Sequence, residues 1–274
     1  MSTATATPIL PLAPTRQPPG TRSGHDDVRS LPSALRSEWI KLSSLRSFRL
    51  MTVMTALLGG LTSLAVARFV TDEVLVASDV FVYSTVLTAV LAAITGLLLF
   101  TSEAQHGTLA GTLAAQPARW VTVTAKALLA AARGVALGAI GMAAGFAGAV
   151  AGGLAVGDTP IAATAAWALA FTALAALLGL GVGMIVRHGS AAISGLLVWW
   201  FVVENLLAVF LPADVLRFLP FYAGTALLGI VSDFASPEEI AIALTKLQDA
   251  LVFGGYTTVM LIAGAVLLYR RDVR

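Results

Sequence analysis

Residues 134–156 read GVALGAIGMAAGFAGAVAGGLAV, a run of 23 residues that contains no charged side chain. A helix of about 20 apolar residues crosses the hydrocarbon core of a bilayer, and lipid demands a helix because backbone polar groups must be bonded within the segment. Runs of similar character predict further helices at about 50–67, 80–101, 162–186, 191–211 and 250–269. We therefore predict an all-α membrane protein with six transmembrane helices.

The composition excludes an ordinary water-soluble domain. Of the 274 residues, 58% are hydrophobic and only 12% are charged, whereas soluble domains contain about 25% charged residues. Six spans use most of the chain, so we expect a single transmembrane domain over residues 33–274. The proline- and serine-rich stretch 1–32 neither sustains a helix nor buries a core, which predicts a disordered cytoplasmic tail.

Lysine and arginine are distributed unevenly between the two sides of the predicted spans. If the amino terminus is inside, 14 of the 17 lysines and arginines lie on the cytoplasmic side, as the positive-inside rule requires. We therefore expect a multi-pass protein of the plasma membrane with both termini in the cytoplasm. Because these basic residues are dispersed rather than gathered on one soluble face, nucleic-acid binding is not expected.

A seventh apolar run, 218–232, is short for a span and contains Pro220 and Gly224. Counting it as a span would place the arginines of the carboxyl terminus outside, against the positive-inside rule. We predict that this run forms a re-entrant or outer-surface hairpin between spans five and six.

The segment 33–46 predicts an amphipathic helix that lies on the membrane surface. Leu35, Trp39 and Leu42 recur at helical spacing, and the other side of the helix is polar or basic. Trp39 suits the headgroup region, and Arg46 can extend toward lipid phosphates. A cytoplasmic extension of the first span is the alternative that the pattern leaves open.

Small residues form a stripe along the third span, which permits close approach between helices in lipid. The stripe fits tight packing inside one subunit or a dimer interface, and both alternatives remain open. Its members are Gly134, Gly138, Gly141, Gly145, Gly148 and Gly152.

Glu204, followed by Asn205, interrupts the fifth span. A carboxylate at that depth is costly, so it should face protein or water and find a partner, or be protonated. A functional role is one interpretation. The other is a structural hydrogen bond from a neutral Glu204 to a hydroxyl or a backbone carbonyl.

The motifs of common catalytic sites are missing from the sequence. It contains no GxxxxGK[ST] phosphate-binding loop, no HExxH and no GxSxG. There is no cysteine, and the three histidines are far apart. We therefore predict no catalytic residue, no metal and no cofactor bound by this chain, while catalytic dyads assembled from distant residues keep a membrane-embedded enzyme as an alternative.

Three stretches carry a family resemblance. They are SEWIKLSSLRS (Ser37–Ser47), TSEAQHGTLAGTLAAQPARW (Thr101–Trp120) together with Lys126, and VENLLAVFLP (Val203–Pro212) leading into LPF (Leu219–Phe221). They resemble the interface helix, the coupling segment and the fifth-span region of ABC-2 type permeases. These proteins are the membrane subunits of ABC exporters, here in the form common in high-GC bacteria.

The resemblance implies a six-helix subunit with an interface helix and with re-entrant helices between spans five and six. It also implies export of a hydrophobic or amphipathic substrate, such as a drug, an antibiotic or a lipid-like compound. Two separate ATP-binding subunits would bind ATP and Mg and hydrolyse the ATP. A second permease subunit, identical or different, would complete the transporter.

The resemblance further implies that a set of residues transmits motion from the ATP-binding subunits rather than performing chemistry. A non-transporting accessory subunit of the same complex is a further alternative. The implied coupling residues are Glu103, Gly107, Thr108, Leu109, Pro117, Arg119 and Lys126, and those of the interface helix are Glu38, Trp39, Lys41 and Arg46.

Overall fold

The computed structural model describes residues 24–44, 46–70, 75–115, 118–158, 161–229 and 242–270, and all regular secondary structure within them is helical. The helices are α1 (Gly24–Ser44), α2 (Arg46–Phe69), α3 (Ala77–Val80), α4 (Thr85–Gln105), α5 (Thr108–Ala115), α6 (Arg119–Ala151), α7 (Ile161–Val186), α8 (Gly189–Val198), α9 (Glu204–Phe210), α10 (Ala213–Leu216), α11 (Pro220–Ala226) and α12 (Lys246–Arg270). A π-helical turn (Trp199–Val203) joins α8 to α9.

Six stretches of the described chain are long and apolar enough to cross a membrane, which confirms the predicted number. They are α2, α3 with α4, α6, α7, α8 with α9, and α12. Most of their boundaries agree with the predicted ones to within a few residues. The exception is α6, which begins at Arg119 rather than near residue 134. The basic residues of 119–133 suggested a loop between two spans. The helix continues through them because Arg119, Lys126 and Arg133 each bind groups of other helices.

The far boundary of α6 is set by glycine. Gly153 has a φ of +102°, a conformation that side chains with a Cβ disfavour. The amide of Leu154 donates to the carbonyl of Ala149 at 3.2 Å, which is the long hydrogen bond of a Schellman motif. The third crossing helix therefore ends at Ala151 and not near residue 156.

Helices α4, α6 and α7 form the centre of the bundle. Of the most apolar 18 residues in each stretch, 67% are buried in α3 with α4, 56% in α7 and 44% in α6. The corresponding shares are 17% for α2, 17% for α8 with α9 and 22% for α12. These three outer stretches therefore present most of their apolar side chains to the surroundings.

Glycines allow the central helices to approach closely. A Cβ on Gly96 of α4 would overlap the carbonyl oxygen of Ala176 in α7, and one on Gly148 of α6 would overlap that of Gly60 in α2. Gly134 of α6 meets the backbone of α7 in the same way. In the structure the glycine stripe packs inside one subunit, which is the first of the two alternatives.

The two ends of the described chain lie at the same end of the bundle, which we call the α1 end. Helix α1 packs against α6. Arg119, the first residue of α6, donates from Nη1 to the carbonyls of Leu268 (2.6 Å) and Tyr269 (3.1 Å) near the end of α12. An even number of crossing helices accounts for this arrangement. The opposite end is called the far end.

Helix α1 begins at Gly24 and includes Pro32, so the predicted tail is wrong over residues 24–32. The other prolines that suggested disorder all precede Gly24, and residues 1–23 lie outside the described residues. In the turn where Pro32 offers no amide, the hydroxyl of Ser33 donates to the carbonyl of Ser30 at 2.6 Å. A single proline thus leaves the helix continuous.

The predicted hairpin 218–232 contains one short helix, α11, in its described part. Its Pro220 occupies the first turn, where a missing amide costs nothing. The ring of Phe221 stacks on Trp200 with centroids 3.9 Å apart and lies 5.8 Å from Phe253 of α12. These aromatic contacts fix α11 against the bundle at the far end. Residues 230–241 lie outside the described residues.

Candidate functional site

Four charged side chains from three helices meet at the α1 end, and we call them the ion-pair cluster: Glu38 and Lys41 of α1, Glu103 of α4, and Lys126 of α6. Glu38 and Lys41 share one side of α1 because residues three apart are neighbours on a helix. Glu103 is in the last turn of α4, and Lys126 lies two turns into α6. The sequence singled out all four, and the structure brings them together.

Each ammonium of the cluster bridges both carboxylates. Lys41 Nζ donates to Glu38 Oε1 and to Glu103 Oε1, both at 2.8 Å. Lys126 Nζ donates to Glu38 Oε2 at 2.7 Å and lies 3.0 Å from Glu103 Oε2. The same ammonium donates to the carbonyl of Leu99 at 3.2 Å. The four groups form a closed ring with no net charge.

Burial differs strongly within the cluster. The Lys126 side chain is 1% exposed, while those of Glu38 and Glu103 are 6% and 11% exposed. The Lys41 side chain is 39% exposed and is the member that reaches solvent. Removing one partner of a buried ion pair leaves an uncompensated charge in a medium of low polarity. The three buried members therefore contribute most to holding α1, α4 and α6 together, and the exposed Lys41 contributes less.

The two members on α1 stay charged through neutral pH. Burial alone would raise the pKa of Glu38, but attraction to Lys126 and hydrogen bonds from both lysines outweigh it and hold that pKa below its ordinary value. Burial alone would lower the pKa of Lys41, but hydrogen bonds to Glu103 and Glu38 raise it above its ordinary value. Both shifts favour the docked position of α1.

The short helix α5 covers the cluster. Gly107, with a φ of +70°, turns the chain after α4, and the hydroxyl of Thr108 donates to the carbonyl of Glu103 at 3.4 Å. Leu109 is buried in the same apolar cluster as Leu42 of α1. One side of α5 is therefore fixed against α1 and α4.

Two clefts open beside Lys41, with volumes of about 360 and 410 Å³. Glu38, Lys41 and Thr112 line both of them. Lys41 Nζ donates to Thr112 Oγ1 at 3.4 Å, which links the cluster directly to α5. The Lys41 side of the cluster thus faces water, whereas the Lys126 side is closed.

The other residues singled out at this end lie outside the cluster. Arg119 binds the last carbonyls of α12, where a cation complements the negative end of the helix dipole. Trp39 is 60% exposed, and Arg46, the first residue of α2, is also exposed. Pro117 lies outside the described residues.

Arg133 of α6 was not predicted from the sequence as a site residue. Its Nη2 donates to the carbonyl of Phe48 at 2.7 Å and to the hydroxyl of Thr52, both in α2. These bonds connect the part of α2 that lies at the α1 end to α6. A basic residue directly before a long apolar run could have signalled this need for a partner.

At the far end, the Glu204 carboxylate accepts three hydrogen bonds. The donors are the indole Nε1 of Trp199 (3.2 Å) and the backbone amides of Phe221 and Tyr222 (both 3.0 Å). The two amides belong to the first turn of α11, whose donors have no partner within their own helix. Glu204 therefore caps α11 as an acceptor, whereas the structural interpretation expected it to donate. A functional role for Glu204 stays a prediction.

Asn205 satisfies the π-helical turn that precedes it. Its Nδ2 donates to the carbonyls of Trp200 (3.3 Å) and Phe201 (3.1 Å), while the amide of Glu204 bonds to the carbonyl of Trp199 across the wider π turn. A π-helical turn inside an α-helix displaces the side chains that follow it. Glu204 directly follows the π-helical turn, and from that position its side chain reaches α11.

Comparison with known proteins adds no family assignment. No protein-family model matches the chain, and no curated protein sequence matches it. Within the described residues, no group of three or more His, Asp or Glu side chains is placed to hold a metal ion.

Proposed function

We propose that this chain is the membrane-spanning permease subunit of an ATP-binding cassette exporter of the ABC-2 type. It would move a hydrophobic or amphipathic substrate using ATP hydrolysed by separate subunits. The single observation that carries the proposal is the ion-pair cluster, because it ties α1, which precedes the first of the six long apolar stretches, to α4 and α6, which belong to two of them.

Helix α5 has the form of a docking element for a partner at the α1 end. Its buried side holds Leu109, while Ala110, Gly111 and Ala114 are exposed on the other side. Lys41 binds Thr112 of α5 and both carboxylates of the cluster. A force applied to the exposed side of α5 would therefore reach α1 and α4 through fixed contacts.

The cluster would pass this motion into the membrane as one unit. Opening the ring would leave a carboxylate or an ammonium unpaired in a buried place, which is strongly unfavourable. Moving α1, α4, α5 and α6 together avoids that penalty. In this scheme Glu38, Lys41, Glu103 and Lys126 transmit work and perform no chemistry.

The proposed orientation places the α1 end in the cytoplasm of a plasma-membrane protein. Helix α1 would then be the interface helix, with Trp39 and Arg46 at the level of the lipid headgroups. Helices α10 and α11 would be the re-entrant helices on the outer side, held by the cap from Glu204. Two ATP-binding subunits, which bind ATP and Mg, and a second permease subunit complete the proposed assembly.

Reconstitution with an ATP-binding cassette protein encoded beside this chain tests the proposal. We expect the two proteins to co-purify and the chain to stimulate ATP hydrolysis. Glu103→Gln should abolish most of the stimulation because it removes one charge of the buried cluster. Asp214→Asn is the matched control, since Asp214 lies at the far end with a side chain that is 73% exposed.

The proposal fails if no complex and no stimulation are found, or if Glu103→Gln stimulates as well as the unaltered chain. Efflux measured in cells with and without the chain separates a transporting subunit from an accessory one. Among the described residues, no specific contact favours a membrane-embedded enzyme over the permease. The carboxylate of Glu204 and the amide of Asn205 both bind backbone or side-chain groups of the fold.

A further inference from the structure

We propose that the cleft between α1, α2 and α6 at the α1 end binds the headgroup of an anionic phospholipid. The cleft has a volume of about 150 Å³. It is lined by Trp39, Leu42, Phe48, Arg49, Thr52, Leu129 and Arg133. The proposal requires only that the protein lies in a membrane and does not depend on the exporter function.

The charged side chains among the described residues that line the cleft are all positive. The cleft contains two guanidinium groups, those of Arg49 and Arg133, and no carboxylate is among the described residues that line it. The nearby carboxylate of Glu38 binds its own two lysines. Guanidinium groups bind phosphate oxygens through paired, charge-assisted hydrogen bonds. The cleft is therefore suited to a phosphodiester.

Arg133 is held in position before any ligand arrives. Its Nη2 binds the Phe48 carbonyl and the Thr52 hydroxyl, so the direction of the guanidinium plane is fixed. Its Nε is buried and has no hydrogen-bond partner in the described part of the chain. Arg49 lies about one turn after the start of α2 at Arg46, and its side chain is exposed.

An apolar track leads away from the cleft along the outer side of α2. Leu50, Val53, Leu57 and Leu61 recur at helical spacing and are 51–60% exposed. The track begins directly after Arg49, so a ligand with its phosphate in the cleft can lay acyl chains along these side chains. Trp39, which is 60% exposed, also lines the cleft, and tryptophan is enriched where membranes meet water. This continuity favours a phospholipid over free phosphate.

Native mass spectrometry of the purified full chain tests the site, using phosphatidylglycerol and phosphatidylcholine with the same acyl chains. We expect a preference for phosphatidylglycerol. Arg49→Gln and Arg133→Gln should each weaken phosphatidylglycerol binding about tenfold, the effect of losing one hydrogen-bonded charge. Arg68→Gln is the matched control, because it removes the same charge from an exposed position at the far end of α2.

Arg133→Gln also removes contacts to α2, so Arg49→Gln, at an exposed position, is the deciding variant. Unchanged lipid preference in Arg49→Gln, or an equal loss in Arg68→Gln, overturns the proposal. So does equal binding of both lipids by the unaltered chain. Inorganic phosphate is added as a competitor. If it displaces the lipid as well as short-chain phosphatidylglycerol does, the lipid assignment is overturned in favour of a free anion.

Discussion

Lys126→Met removes the most buried charge of the ion-pair cluster. Lys126 Nζ neutralises one oxygen of Glu38 and one of Glu103 and is 1% exposed. Without it, two buried carboxylates share the single ammonium of Lys41. Breaking a buried ion pair in this way costs about 3–5 kcal/mol. For a chain of this size we expect the midpoint of thermal unfolding to fall by about 6–20 °C.

Lys41→Met is the matched comparison because it removes the same charge from the same ring. The Lys41 side chain is 39% exposed. Water can therefore replace much of the interaction that its ammonium makes with the carboxylates of Glu38 and Glu103. We expect a cost of about 1 kcal/mol and a fall in the unfolding midpoint of about 2–4 °C. The assay is thermal unfolding of both variants purified in the same detergent, followed by size-exclusion chromatography of the heated samples.

A double variant distinguishes loss of charge balance from loss of packing. Adding Glu103→Gln to Lys126→Met leaves one carboxylate with one ammonium and restores neutrality. We expect it to recover about 1–3 kcal/mol of the loss, the usual coupling between groups in contact. The reasoning is refuted if Lys126→Met is no more destabilising than Lys41→Met, or if the double variant recovers nothing.

Two further predictions concern the docking of α1 and the packing of α4. Because the pKa of Glu38 is lowered, the stability that Glu38 gives to the docking of α1 is complete above pH 4.5, the ordinary pKa of a glutamate. That stability is lost as the pH falls through the lowered pKa. The raised pKa of Lys41 means that its contribution is complete below 10.5 and is lost as the pH rises through the raised value. Spin-label distances between α1 and α6 should therefore stay constant between pH 4.5 and pH 10.5 and lengthen at pH values below the lowered pKa of Glu38 or above the raised pKa of Lys41. If the Glu38→Gln variant lengthens in acid as the unaltered chain does, the prediction is contradicted. Gly96→Ala should lower thermal stability because the added Cβ overlaps the carbonyl of Ala176. Gly254→Ala is the control and should not lower it, because a Cβ there meets nothing within 4 Å. Equal effects of the two substitutions on thermal stability would contradict the packing argument.

The crossing helices could be predicted because each apolar run carries its own signal. Length and the absence of charge define a span without reference to the rest of the chain. The same rule failed at the start of α6, since it treats the basic residues of 119–133 as a loop. Arg119 binds carbonyls of α12, and Lys126 lies in the cluster. Their charges are compensated by residues that are distant in sequence, which no local rule can detect.

The residues of the candidate site were each visible in the sequence, but their partners were not. Glu38 and Lys126 are 88 positions apart, and Lys41 and Glu103 are 62 apart. The resemblance assigned them to two separate segments. The structure shows that these segments are joined by their charges.

Hydrophobicity in the sequence determined that the chain is helical and that six of its stretches are long and apolar enough to cross a membrane. A bilayer acts on each segment separately, so the solvent alone decides these properties. The tertiary structure decided which charges meet, that the glycine stripe packs within one subunit, and that Glu204 caps α11. These depend on the relative positions of several helices, and a carboxylate acquires its role only from the groups that surround it.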